Sequence, residues 1–288
     1  MRAPGIPGGG SIVPRNFTRD STVTLTGGVE MPVLGLGVWQ TAAGDETRNS
    51  VKTALSAGIR LVDTARIYHN EADVGTAVRE SGLPRERVFV TTKLWNSDHG
   101  YDRTLRACDQ SLARLGLEQL DLYLVHWPAP GRRDSWRAME RLLTDGKVRA
   151  IGVSNYTIRH LEELLGECRI SPSVNQVELN PFLYQRELID YCRAHRIQVE
   201  AYCPLVRGHR MDHPVVVLLA RKYARTPAQV LIRWGLEHDL VTIPKSAHPE
   251  RIRENADVFG FSLDEGDMAA LDGLDEGYRT AWDPTGAP

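Results

Sequence analysis

The chain has 288 residues, 42% hydrophobic and 25% charged, enough apolar material for one large core or two small ones. A formal net charge of -2 gives no global attraction for nucleic acid or an anionic membrane, so any polyanionic ligand has to be gripped by a local basic site. No apolar run reaches the about 18 residues that crossing a bilayer takes. The cysteines at 108, 168, 192 and 203 have no paired spacing, which suits a reducing cytoplasm and gives no disulfide framework.

Residues 1–20 are rich in glycine, proline and arginine, lack the apolar segment of a signal peptide, and read as a flexible tail before a single domain at 21–288. The stretch "STVTLTGGVEMPVLG" is two alternating runs around Gly27-Gly28, a hairpin pattern. Strand candidates then follow at 34–38, 59–63, 88–92, 121–126, 148–153, 174–178, 197–201 and 240–243. Helical patterns lie between them at 45–57, 70–81, 101–115, 134–145, 157–165, 184–195 and 248–256. Most of the strand runs are apolar on both faces, as expected of strands covered on both sides. Eight such strands alternating with helices predict an α/β fold, a closed (β/α)8 TIM barrel, with an open doubly wound sheet as the rival. The hairpin is expected to close the bottom of that barrel. "GLGVWQ" offers Gly35 and Gly37 but has Gln40 where a dinucleotide fingerprint needs its third glycine, and no helix opens there.

In a barrel of this kind, chemistry gathers at the C-terminal ends of the strands. The second strand ends at Asp63 with Tyr68 on the following loop, the third ends in Lys93 and the fourth in His126. Each has a plain structural reading alone: Asp63 as a cap, Tyr68 as packing, Lys93 and His126 as solvated or structurally bonded groups. Four complementary titratable residues at three successive tips make a poor coincidence. A phenol's reference pKa is near ~10, a neighbouring ammonium is expected to lower it, and a buried lysine needs a counter-ion. Asp63 supplies one for Lys93, so the trio is expected to tune Tyr68 as a general acid, with His126 donating a hydrogen bond to a substrate oxygen. That combination suits carbonyl reduction.

The neighbouring tips suit a dinucleotide. Tyr202 can stack on a nicotinamide, and Ser154, Asn155 and Gln176 offer partners for its carboxamide. "IPKSAHPERIRENA" places Lys245, Ser246 and Arg251 at the start of a helix, a phosphate site. Two cations there point to a 2′-phosphate and hence to NADP(H), with Glu254 and Asn255 reaching the adenine. Trp39, Trp95 and Trp127 beside the tips are expected to wall an apolar substrate pocket. Trp282 either folds over the mouth or anchors at the surface. His209 and His213 stand four apart but fall in a loop around Pro214 with only Asp212 as a carboxylate, so no metal is expected.

From residue 22 to about 275 the chain resembles the aldo-keto reductase family, on "LGLGVWQ", "DTARIYHNE", "VTTKLW", "LDLYLVHWP", "IGVSNY", "VNQVELNP", "AYCPL" and "IPKSAHPERIRENA" in family order. The family's catalytic tetrad falls on Asp63, Tyr68, Lys93 and His126. Its nicotinamide contacts fall on Ser154, Asn155, Gln176 and Tyr202, and its adenosine-phosphate contacts on Lys245, Ser246, Arg251, Glu254 and Asn255. The resemblance implies reversible NADPH-dependent reduction of aldehydes and ketones on a usually monomeric, cytoplasmic barrel, with a small carbonyl compound as partner and neither nucleic acid nor membrane. The substrates it suggests are small aromatic and aliphatic aldehydes, dicarbonyls and keto-sugars. Departures include Cys203 where many relatives have serine, and His248 near the phosphate site. The short "WPAPGRRDSW" resembles bacterial members and implies an open pocket, while "LVRGHRMDHP" replaces a Gly/Ser-rich loop. Two other classes stay open: a barrel lyase using Lys93 as a Schiff base, and an NADP(H)-binding sensor with little turnover.

Overall fold

A computed structural model describes residues 17–288, so positions 1–16 of the expected tail lie outside the described residues. Strands β1 (Thr22–Thr24) and β2 (Glu30–Pro32) pair antiparallel around Gly27 and Gly28, which take φ of 100° and 80°. A side chain at either position would be strained in that left-handed turn, hence the two glycines.

Eight parallel strands follow in spatial order as in chain order: β3 (Gly35–Gly37), β4 (Leu61–Asp63), β5 (Phe89–Leu94), β6 (Leu120–Val125), β7 (Val148–Ser154), β8 (Val174–Glu178), β9 (Gln198–Tyr202) and β10 (Val241–Ile243). The last joins the first through parallel bridges from Leu34 to Thr242 and from Gly37 to Lys245, and the Thr242 amide donates to the Val33 carbonyl at 2.9 Å. This is the (β/α)8 barrel, and the open sheet is excluded.

Alternation along each strand sorts side chains into two cores. Val62, Val90, Tyr123, Ile151, Val177 and Val199 face the helices. Leu61, Phe89, Leu122, Val174 and Val241 fill the bore, together with Leu25, Val29 and Met31 of the hairpin region. Four of those bore residues are at or near the N-terminal ends of their strands, so the hairpin seals the bottom. Asp63, Lys93, Gln176, Glu200 and Tyr202 share the parity of the bore but sit toward the other end. The "GLG" run has a packing explanation: a Cβ on Gly35 would lie 2.0 Å from Leu61 Cδ2 and 2.8 Å from Ile243 Cγ2.

Seven helices match the expected patterns: α1 (Asp45–Ser56), α2 (Glu71–Glu80), α3 (Tyr101–Leu115), α4 (Arg132–Thr144), α5 (Ile158–Leu165), α6 (Arg186–Ala194) and α9 (Pro249–Ala256). Three more were not anticipated: α7 (Pro214–Lys222), α8 (Pro227–Glu237) and α10 (Glu265–Asp272). In α8 every residue from Gln229 to Leu236 is buried, so it lacks the polar stripe that marks a surface helix. Its sequence mark is the capping box of Thr226 and Gln229 with Pro227 in the first turn. Pro214 begins α7 instead of sitting in a loop, and His213 is the residue before that helix.

Candidate active site

The upper bore holds the predicted titratable residues together. Lys93 is buried at the end of β5, donating to Asp63 Oδ1 at 2.6 Å and to the Thr64 carbonyl at 2.9 Å. Its Nζ lies 3.5 Å from the Tyr68 hydroxyl. The five-residue gap after Asp63 is explained by a tight 3-10 turn at Arg66–Tyr68, ended by His69 with φ of 58°, which brings the phenol back over the strand end. His126 directly follows β6, and its ring meets Tyr68 edge-on at 5.8 Å and Trp95 edge-on at 5.3 Å. An ammonium held by a carboxylate and a carbonyl is a poor amine nucleophile, which argues against the Schiff-base reading.

One electrostatic expectation is corrected. The phenol of Tyr68 is pushed well above the usual tyrosine range, chiefly by burial and then by the Asp63 carboxylate, and not lowered by Lys93. The ammonium is already matched by Asp63, so Tyr68 faces an ion pair rather than a lone positive charge. Asp63 itself is raised by burial, against the pull of Lys93. His126 is held well below the ordinary histidine value, by burial and then by Lys93, and is therefore a neutral imidazole near neutral pH. Its Nδ1 is buried without a partner among the described residues. Placing the single ring proton on Nε2 avoids burying an unpaired donor and makes His126 a hydrogen-bond donor to the cavity it lines.

The next tips form a connected scaffold. The Ser154 hydroxyl donates to the Gln176 carbonyl at 2.9 Å. Asn155, in the left-handed region at φ of 64°, donates to the His126 carbonyl at 3.0 Å and to Ser154 Oγ at 3.1 Å. Its Oδ1 accepts from the Tyr202 hydroxyl at 2.8 Å, which fixes that ring. Asn155 thus uses its side chain to brace its neighbours. Gln176 Nε2 donates to Asp63 Oδ2 and Glu200 Oε2, both at 2.8 Å.

A trough of about 1250 Å³ runs from this cluster past Cys203–Gly208 to the start of α9. Lys245 and Arg251 line its far end, both exposed and without an ion-pair partner among the described residues. Ser246 and Asn255 are nearly buried beside them, and Glu254 accepts from the Thr226 hydroxyl at 2.8 Å. Trp39, Trp95 and Trp127 all line the trough. Trp282, 73% exposed, stands edge-on to Trp127 at 5.6 Å and lines the trough. The two candidate metal histidines are used elsewhere: His209 Nδ1 lies 3.0 Å from the Tyr278 hydroxyl, and His213 packs on Phe182.

Three contributors escaped the sequence reading. Glu178 is buried and accepts from the Thr280 and Ala281 amides at 2.7 and 3.0 Å, pinning the segment that carries Trp282. Arg207 stacks over Trp39 at 4.4 Å across the trough, in a loop where Cys203, Val206 and Arg207 all take φ of 50–52°. A β-branched residue there is strained, and such strain gathers at ligand-binding loops. Glu200 is the third. Its only sequence mark is a carboxylate on the bore-facing parity of a strand.

The trough exceeds what a small substrate needs, joins fixed aromatic and amide groups to two unpaired cations at a helix start, and so fits a nicotinamide dinucleotide with substrate beside it. This barrel and this mouth define a class: (β/α)8 oxidoreductases acting on carbonyl groups. Residues 33–276 match the Aldo/keto reductase family, and the chain belongs to that family, whose members use nicotinamide cofactors. It is 51% identical over 264 residues to the glyoxal reductase of Bacillus subtilis, covering 91% of this chain and 96% of that protein. Among solved structures, an aldo-keto reductase from a Medee basin deep-sea metagenome library superposes with a TM-score of 0.90 at 43% identity, covering 93% of this chain and 100% of the other. The Bombyx mori aldo-keto reductase in complex with NADP superposes at 0.86 with 34% identity, covering 90% and 94%.

Proposed function

We propose that this chain reduces small aldehydes and reactive ketones, dicarbonyls foremost, to alcohols with NADPH, and that Tyr68 gives the proton. The observation that carries the reading is the buried Lys93–Asp63 pair with the Tyr68 hydroxyl 3.5 Å from Nζ, beside a neutral His126. When bound, NADPH supplies the hydride that reduces the carbonyl carbon. His126 Nε2 donates to the carbonyl oxygen and orients it. Tyr68 holds its proton at neutral pH and releases it to that oxygen as alkoxide character develops, because an alkoxide is the stronger base. Lys93 stabilises the phenolate left behind, at short range and away from bulk water. Solvent then restores the proton to Tyr68 Oη.

Tyr202, held by Asn155, would form the platform for the nicotinamide ring, and Gln176 with Ser154 would address its carboxamide. Lys245, Ser246 and Arg251 would take the 2′-phosphate, with Glu254 and Asn255 near the adenine. The similarity to a glyoxal reductase and the wide tryptophan-walled mouth support small dicarbonyls as substrates. We further propose that residues 21–288 act as one domain and as a monomer, since the whole candidate site comes from one chain. Four free thiols suit the cytoplasm. The test follows NADPH absorbance with glyoxal, methylglyoxal and benzaldehydes. Turnover of at least one is expected with NADPH, and NADPH binding without turnover of any would favour the sensor reading instead.

A further inference from the structure

Gln176 spans the bore with its amide nitrogen 2.8 Å from Asp63 Oδ2 and 2.8 Å from Glu200 Oε2. An amide nitrogen has two protons, and both are used. The reverse orientation would set the amide oxygen against two carboxyl groups, one of them ionised beside Lys93, so charge fixes the choice. What remains is the Gln176 oxygen, which accepts from no described residue, on a side chain that lines the trough.

Glu200 is the member of this chain of groups that the proposed chemistry leaves unused. It is fully buried on β9, its Oε2 meets Gln176, and its Oε1 has no partner among the described residues. The groups that act on it are Asp63 from β4, Lys93 from β5 and the Gln176 amide from β8, and Tyr68 in turn feels Glu200. Burial, and then Asp63, push its carboxyl up to about 8, so near neutral pH it carries a proton on one oxygen and accepts on the other. An apolar side chain would fill the bore without the desolvation penalty of a carboxyl. What the carboxyl adds is an acceptor for the second Gln176 proton.

We propose that Glu200 is a positioning residue of the cofactor site: by accepting the second amide proton of Gln176 it keeps the Gln176 oxygen turned to the trough, where that oxygen accepts from the carboxamide NH2 of the nicotinamide. The inference rests on the NADPH reading of the trough. It requires that the orientation be lost when the acceptor is removed and kept when another acceptor replaces it.

The experiment measures dissociation constants, by calorimetry, for NADPH and for its reduced 3-acetylpyridine analogue, whose methyl ketone has no N–H to donate. Wild type is expected to prefer NADPH about tenfold, the worth of one hydrogen bond. Glu200→Met, close in shape but without the acceptor, is expected to lose that preference, and Glu200→Gln to keep it within about twofold. Glu200→Met with the wild-type preference, or with both cofactors weakened by one factor, overturns the proposal. Should Glu200→Met fail to fold, side-chain amide exchange in the wild type decides. Both Gln176 protons are expected to stay protected when NADPH binds, and exposure of either one overturns the proposal. Wild type that binds neither cofactor overturns the NADPH reading along with it, whereas NADPH binding with no response to Glu200 overturns this inference alone.

Discussion

The two ends of the trough solve opposite problems. At the strand tips Lys93, Asp63, Gln176 and Glu200 are buried and joined to one another, with distances of 2.6 to 2.8 Å along the line. At the start of α9, Lys245 and Arg251 stand exposed and unpaired among the described residues. On the proposed mechanism the first end meets charge that appears only during reaction, so its dipoles have to be set in advance and kept dry. The second, as proposed, meets a phosphate that arrives already charged, and solvated cations wait there at little energetic expense. Preorganisation belongs where charge is created, and openness where it is delivered.

Several changes would break or sharpen this contrast. Tyr68→Phe removes only the hydroxyl proposed as proton donor, and kcat is expected to fall about 10²- to 10⁴-fold while the NADPH dissociation constant stays within about twofold, read by single-turnover kinetics and calorimetry. A Tyr68→Phe enzyme with full turnover would show that the proton comes from elsewhere. Lys93→Met leaves Asp63 buried without its counter-ion, and the expected loss is about 3–5 kcal/mol of stability in urea unfolding. No shift of the midpoint would mean the pair is not the buried lock described here.

Glu200 links the tip end to pH. Its carboxyl titrates near 4.5 when unfolded and at about 8 in the fold, so the native state holds the extra proton between those values. Stability contributed by this group therefore falls as pH rises from about 4.5 through about 8, by at most about 5 kcal/mol. Unfolding midpoints of wild type and Glu200→Gln across that window check the sign: the variant should lose less stability on going alkaline. At the phosphate end the effects are smaller and more selective. Arg251→Ala and Lys245→Ala are each expected to weaken NADPH binding about tenfold and leave NADH nearly unchanged, with a shallower salt dependence. Equal losses for both cofactors would move the 2′-phosphate away from these side chains.

Much of this was legible because barrel geometry is periodic. Asp63, Lys93 and His126 betray themselves as polar residues closing apolar runs, and a strand's two-residue alternation places them in one space. Lys245 and Arg251 were legible as cations at a helix start. The phenol of Tyr68 was read with the wrong sign, because its environment depends on burial and on an ion pair that spacing does not reveal. Glu200 passes in "IQVEA" for ordinary strand polarity, and its partner Gln176 lies 24 positions away. Glu178 is harder still, since its partners lie 102 and 103 positions further on. Helix α8 was missed for a different reason: a helix buried on every side has no amphipathic stripe to find.

The hold of Glu178 on Thr280 and Ala281 separates two kinds of change. Asp63 and Lys93 are rooted in strands, whereas the outer wall at Trp282 is held to a buried carboxylate by two backbone amides and the Thr280 hydroxyl, and only the amides are independent of side-chain identity. A change at Ala281 therefore keeps every one of these donors, whereas a change at Thr280 gives up one of the three. A barrel built this way can vary the outer wall of its mouth within one short segment while the strand-rooted Asp63–Lys93 pair stays fixed.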